Sequence, residues 1–464
     1  MVSNFPPKLA MEGYSLYFNG SSGPQLRHFF KRIDPLMKRR TFLQSTAAAT
    51  SLLGLGQMGY SAEQKFSNGT FCNVPIEALT STPHHHWYGY YDKDEFDVTG
   101  QQVLTNEITF EHRSPTAEDQ IQVGVVDRGT KKFQRLGKSD AWGWQQGCML
   151  QWRPGSTEEV LWNDREDGQY VTRILNIKTG KQRTLPKPVY AVAPNGKYAV
   201  SADFSRINIL RPGYGYQGVP DAWGDEKTPE ESGIWRVDLS TGETKLIISI
   251  AELAAVPHLG ESLLGHWNYV NHLLVSPDSE RFVFLHRWRY DSDKPGERFK
   301  RGFKTRMWSA ALDGSDRHLF ETDQLVSHFI WRDPQTLCAW TRPVGKPAGF
   351  YTYQDHTSNF EPVGAEAMTR DGHNTYVPGT DGEWILNDSY PDGKTRLQPL
   401  YLYHVPSGKK VVLGGFHSPK VYSGEWRCDL HPRCSRDGKT VAIDSPHGGS
   451  GRQVWLLDIS KIIG

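Results

Sequence analysis

Seven times along this chain a short apolar strand runs into a turn built from Gly, Asp, Asn, Pro or Ser: DVTGQQ, RPGSTEE, APNGKYA, SPDSERF, RDPQTLC, PGTDGEW and SRDGKTV. A second kind of turn closes the units at VDRGTKK, NIKTGKQ, VDLSTGETK, ALDGSDRH, YHVPSGKK and LLDISK, with that of the fifth unit obscure. These residues supply the positive-φ and turn-initiating positions that strand links require. Repeats this long and this rich in strand and turn signals predict an all-β chain, a seven-bladed β-propeller. The innermost strands of such a ring line a central channel, so one residue type in one slot of several blades converges on the axis.

Histidine is that residue. HLLVSPDSERF, HFIWRDPQTLCAW, HNTYVPGTDGEW and HPRCSRDGKTVAI each set a His before an apolar strand at a near-constant offset, giving His272, His328, His373 and His431. Bringing several imidazoles together is costly unless a ligand or network satisfies them, so the four are expected to hold a divalent metal ion. An imidazole-rich set suits a first-row transition metal, zinc or manganese, better than calcium or magnesium. Cys428 and Cys434 bracket His431 but read as buried thiols, and five cysteines at irregular spacing are no disulfide framework.

Net charge is +1, from 53 basic and 52 acidic residues, so nothing points to nucleic acid or an anionic membrane. MKRRTFLQSTAAATSLLGLG, beginning at Met37, has the layout of a twin-arginine signal peptide, too short and mild to span a membrane. The reading is therefore an upstream extension over 1–36, a signal over 37–62, one propeller over 63–464, and a periplasmic or secreted monomer. A long loop and a short helix are expected between Asn195 and Asp278, at a blade mouth. No G-x-S-x-G elbow or separate catalytic domain is present, so any chemistry belongs to the propeller.

Three clusters carry candidate chemistry: HHHWYGYYDKDEF with His84, His85 and His86, followed by His112 in EITFEHRSP; WGWQQGCMLQW; and PVYAVAPNGKYAVSADFSRINILRPGYGY. In the last, Tyr190 precedes Arg206 by one hairpin, in the contexts S-A-D-F-S-R and Y-G-Y. Here the chain resembles the seven-bladed polysaccharide lyases, the ulvan lyases and oligogalacturonate lyases. The resemblance implies catalytic roles for Tyr190, Arg206, His112 and His86, and axial metal ligation by the repeat histidines. It also implies an anionic, uronate-containing saccharide as the partner.

That chemistry suits the residue types. β-Elimination removes the weakly acidic C5 proton of a uronate, so a cation must neutralise the neighbouring carboxylate, a task for Arg206 or a metal ion. A histidine base takes the proton, and a hydroxyl such as that of Tyr190 protonates the departing oxygen. The blander readings are a packed Tyr190, an Arg206 paired to Asp203, and histidines that lock blades by hydrogen bonds. Two other functions stay open: a non-catalytic propeller that binds a protein or glycan, and metal-dependent hydrolysis of a lactone or ester, which would favour Asp, Glu and Asn over His.

Overall fold

The computed structural model describes residues 64–66, 68–293, 299 and 301–464. The extension and signal read over 1–62 lie outside these residues. Seven sheets form, each built on four antiparallel strands. Blades 1 to 5 follow the chain from His85–Trp87 to Phe360–Pro362. Every strand-opening turn named above joins the first and second strands of a blade. Blade 6 adds an outer hairpin, Gln64–Lys65 and Phe71–Cys72, beside Lys409–His417. Gly414 and Gly415 allow this: a Cβ on Gly414 would sit 2.7 Å from the Phe71 carbonyl oxygen, and one on Gly415 2.7 Å from its ring.

Blade 7 takes three strands from the end of the chain, Arg433–Cys434, Thr440–Ser445 and Gln453–Asp458, and its fourth, Ile76–Ala78, from near the beginning. Ile76, Glu77 and Ala78 pair with Leu457, Leu456 and Trp455, so hydrogen bonds close the ring. A buried charge network ties this blade to blade 1. Arg433 Nε donates to Glu95 Oε2 at 2.7 Å and Arg433 Nη2 to Asp444 Oδ1 at 3.0 Å. Asp444 also accepts the backbone N–H of Tyr88 and of Gly89. Burial raises the Glu95 carboxyl to about 7, with Arg433 opposing.

Aromatic residues fill the seams between blades. Trp87, Trp142 and Trp144 cluster with ring centroids 5.1–5.7 Å apart. Indole N–H groups reach across: Trp162 to Lys138 O, Trp152 to Glu95 O, Trp331 to Leu274 O. An indole that buries its rings and spends its one donor on a neighbouring blade is packing. Between Asn195 and Asp278 the expected short helix is α2, Ile250–Ala254, with a capping box from Ser249 and Glu252. A helix that the sequence reading missed, α1, Phe204–Leu210, follows the second strand of blade 3 and starts on the Asp203 side chain. Arg206 therefore sits on a helix and not on a hairpin. Among the described residues no helix is long and apolar enough to cross a membrane.

Two stability measurements check this architecture. Arg433→Met leaves Glu95 and Asp444 buried without their cation, and chemical denaturation is expected to show a loss of about 3–5 kcal/mol. His447 packs against Trp455, Phe416 and Phe66, and burial alone pushes its imidazole down to about 3. Because the folded value lies below the ordinary 6.5, His447 contributes stability above that pH and loses it as pH falls toward 3. The slope is about 1.4 kcal/mol per pH unit. A pH series of melting temperatures should fall less steeply in His447→Gln than in the parent.

Candidate metal centre on the propeller axis

The four repeat histidines meet. Ring centroids lie 6.2 Å apart for His272 and His328, 4.2 Å for His328 and His373, and 4.3 Å for His373 and His431. Their placement differs from the expected slot, since His272 and His328 fall inside inner strands rather than before them. Each sits at a break in strand register, between Asn271 and Leu274 in blade 4 and between Val326 and Phe329 in blade 5. A bulge re-aims a side chain and leaves ladder groups unpaired. Tyrosine hydroxyls satisfy them. Tyr190 Oη accepts the His272 N–H at 2.8 Å, and Tyr91 Oη accepts the Phe329 N–H and donates to the Phe329 carbonyl. His272 and His431 have φ of 52° and 42°, left-handed values that non-glycine residues adopt at a cost.

His373, Asp429 and His431 can each offer a ligand atom so that all three lie within 4.8 Å of one another. His373 Nε2, His431 Nε2 and Asp429 Oδ1 are buried and have no hydrogen-bond partner. Leaving a buried polar atom unsatisfied costs about 1–3 kcal/mol, and three facing one spot describe a cation site. Neighbouring groups orient the set. Asp388 holds His373 Nδ1 at 2.9 Å, and Arg427 Nε donates to Asp429 Oδ2 at 2.7 Å. A carboxylate on the far nitrogen of a histidine fixes its tautomer and raises its basicity as a ligand. Burial depresses the His373 imidazole but Asp388 outweighs it, and the net direction is up. His431 and His272 are driven well below the ordinary range by burial, then by the neighbouring imidazoles. Two nitrogens and one carboxylate oxygen fit a first-row transition ion. Asp429 joins His373 and His431 in the ligand-spaced group, and His328 and then His272 stand beside it. The sequence signal for Asp429 was its place two residues before His431 in D-L-H.

Tyr214 and Arg427 stand beside this group, Arg427 through its bond to Asp429. Arg427 Nη2 donates to Tyr214 Oη at 2.6 Å, and Arg211 lies with Cζ 4.8 Å from the Tyr214 ring centre. Burial pushes the Tyr214 phenol up, but Arg427 and Arg211 together overcome this and its net direction is down. His328 presents its Nδ1 to Asp371 at 2.9 Å.

The four residues expected to be catalytic do not meet one another. Tyr190 is 0 % exposed, and its hydroxyl is divided between the His272 N–H and Gln146 Oε1 at 2.8 Å. Arg206 is 1 % exposed. Its guanidinium donates to the carbonyls of Asn268, Trp223, Glu226 and Lys227 and to Asp221, not to the anticipated Asp203, whose carboxylate instead caps α1. His86 is buried between Gln453 Oε1 at 3.0 Å and Glu107 Oε2 at 3.2 Å. His112 is exposed, with φ 65°. It lines a cavity of about 530 Å³ with His85, Glu111 and Tyr422, at the seam of blades 1 and 7. There Tyr422 Oη and Arg452 Nε both donate to the Glu111 carboxylate.

No protein-family model matches this chain, and no curated protein matches it in sequence. Solved structures do match in fold. An oligogalacturonate lyase in complex with manganese superposes with a TM-score of 0.59 at 15% identity, over 84% of this chain and 95% of that one. The oligogalacturonate lyase of Vibrio parahaemolyticus gives 0.57 at 14%, over 85% and 97%. At such identities the likeness establishes the seven-bladed fold. Tricorn protease follows with a TM-score of 0.46 and 37% of its length covered.

Elemental analysis of protein purified without chelator or affinity metal is expected to find about one transition-metal ion per chain, as one such site implies. His431→Ala and Asp429→Asn should each lose the ion while keeping the far-ultraviolet spectrum of the fold.

Proposed function

We propose that this protein is a polysaccharide lyase that cleaves a uronate-containing saccharide by β-elimination at the axial centre. The observation carrying the proposal is the convergence of His373, Asp429 and His431, with their unpartnered atoms, beside the Tyr214–Arg427 pair. A bound divalent ion would neutralise the substrate carboxylate and make the C5 proton acidic. With the proton of His328 fixed on Nδ1 by Asp371, Nε2 is the basic nitrogen that takes the C5 proton. Tyr214, acidified by Arg427 and Arg211, delivers a proton to the departing glycosidic oxygen. In this reading Tyr190 and Arg206 are scaffold. Tyr190 fills the blade 4 bulge that turns His272 inward, and Arg206 pins the 211–232 segment to blade 4. His112 stands at the rim and His86 in the blade 1 seam. The proposal includes export through the twin-arginine route to the periplasm or beyond, and action as a monomer.

The test is a screen against ulvan, oligogalacturonides, pectate, alginate and glycosaminoglycans, following the ultraviolet absorbance of an unsaturated uronyl product. Tyr214→Phe and His328→Ala are each expected to lower kcat about 10²–10⁴-fold, the usual contribution of a positioned proton-transfer group, with melting temperatures kept within a few degrees. Tyr190→Phe is expected to lower stability before it lowers kcat. If every substrate is bound but none eliminated, a non-catalytic glycan-binding propeller replaces this reading.

A further inference from the structure

The segment from Arg287 to Arg306 holds eight basic against three acidic residues, a local excess in a chain that is balanced overall. Part of it gathers on one ring. The guanidinium carbons of Arg211, Arg287 and Arg289 lie 4.6, 4.7 and 5.5 Å from the centre of Phe303. Three like charges this close repel, and stacking on an aromatic face offsets only part of that cost. Asp291 is paired to Lys227, and the buried Asp293 lies near enough to Arg289 to favour its charge. Among the described residues Arg211 and Arg287 form no ion pair with any carboxylate. The Nε–H groups of both are buried and without an acceptor, and Arg287 is 6 % exposed. Arg289 is anchored, its Nε donating to the Leu210 carbonyl at 2.6 Å.

The cluster is continuous with the axial site. Arg211 stacks on Tyr214, Tyr214 bonds Arg427, and Arg427 bonds Asp429. Arg287 pairs across blade 4 with Tyr269, on the same inner strand as His272. Unpaired guanidinium donors that converge beside a saccharide site call for a planar or tetrahedral oxyanion. We propose that Arg211 and Arg287, on the Phe303 ring, form an anion subsite that binds the acidic group of the sugar next to the one being cleaved. The substrate is then a polyanion with charge on neighbouring units, as a carboxylate or a sulfate ester. This rests on the lyase reading of the axial site, but binding tests it without turnover.

Calorimetric titrations use trigalacturonate, its methyl ester, and a sulfated dextran trisaccharide as probes, on the parent, Arg211→Gln and Arg287→Lys. Trigalacturonate is expected to bind the parent about 10–100-fold more tightly than it binds Arg211→Gln, the worth of one charge-assisted hydrogen bond. The ester should bind the parent no better than the acid binds the variant. Arg287→Lys keeps the charge but not the fork and should weaken binding less than Arg211→Gln. Arginine-dependent binding of the sulfated probe alone names a sulfate ester as the anion. Equal affinity of acid and ester, equal affinity of parent and Arg211→Gln, or no binding of either anionic probe overturns the subsite. Eliminated product with an unchanged KM in Arg211→Gln removes the subsite and leaves the lyase. Arginine-dependent binding without product removes the lyase and leaves the subsite.

Discussion

Ring closure is the constraint on which everything else in this molecule rests. The axial histidines come from blades 4 to 7, and their meeting requires that blade 7 be held against blade 1. Two devices do this. The strand Ile76–Ala78 completes a sheet whose other strands lie more than 350 residues away in sequence, and Arg433 bridges Glu95 of blade 1 to Asp444 of blade 7. A buried arginine held between two carboxylates is strongly directional, because removing any member strands the others in a medium of low dielectric. The hydrogen bonds from Tyr88 and Gly89 to Asp444 extend the same network to the approach to Tyr90 and Tyr91, which stand on the axis.

Local disorder in the strand ladders builds the site itself. Regular inner strands would alternate their side chains between two faces, and the breaks at Asn271–Leu274 and Val326–Phe329 bring His272 and His328 to the same channel. Each break strands backbone groups that need partners. Tyr190 and Tyr91 provide them from other blades, so a distant tyrosine enforces the aim of each histidine. Ser, Thr or Asn at either position could not span the same gap while packing against neighbouring rings, as Tyr190 does on Phe204 and Tyr91 on Tyr90.

Charge is partitioned by the fold in a way composition hides. The overall balance of one charge resolves into paired carboxylates at the blade seams and, among the described residues, unpartnered Nε–H groups on Arg211 and Arg287. Glu95 and Glu111 each satisfy a buried arginine and stabilise the ring, whereas Arg211 and Arg287 keep free donors beside the axial centre. Groups of the first kind are scaffold. Groups of the second kind are the ones proposed to meet a ligand.

The sequence by itself determined the blade count, because turn chemistry is local: Gly, Asp and Asn at fixed offsets specify a strand link wherever they occur. It also determined that His272, His328, His373 and His431 converge, because a repeat turns one slot into one place. It left Asp429 unassigned although D-L-H was visible, since a single carboxylate becomes a ligand only when His373, from another blade, faces it. The Tyr190–Arg206 interval was equally visible, but spacing along the chain does not say whether a hydroxyl or a guanidinium is free. Tertiary structure decided that. It brought His272 N–H to Tyr190, the Asn268 carbonyl of blade 4 together with three carbonyls and Asp221 of its own blade's connection to Arg206, and Arg427 to Tyr214. Patterns of one strand and one turn are written in neighbouring residues, whereas the satisfaction of a buried polar atom depends on atoms that only closure of the ring supplies.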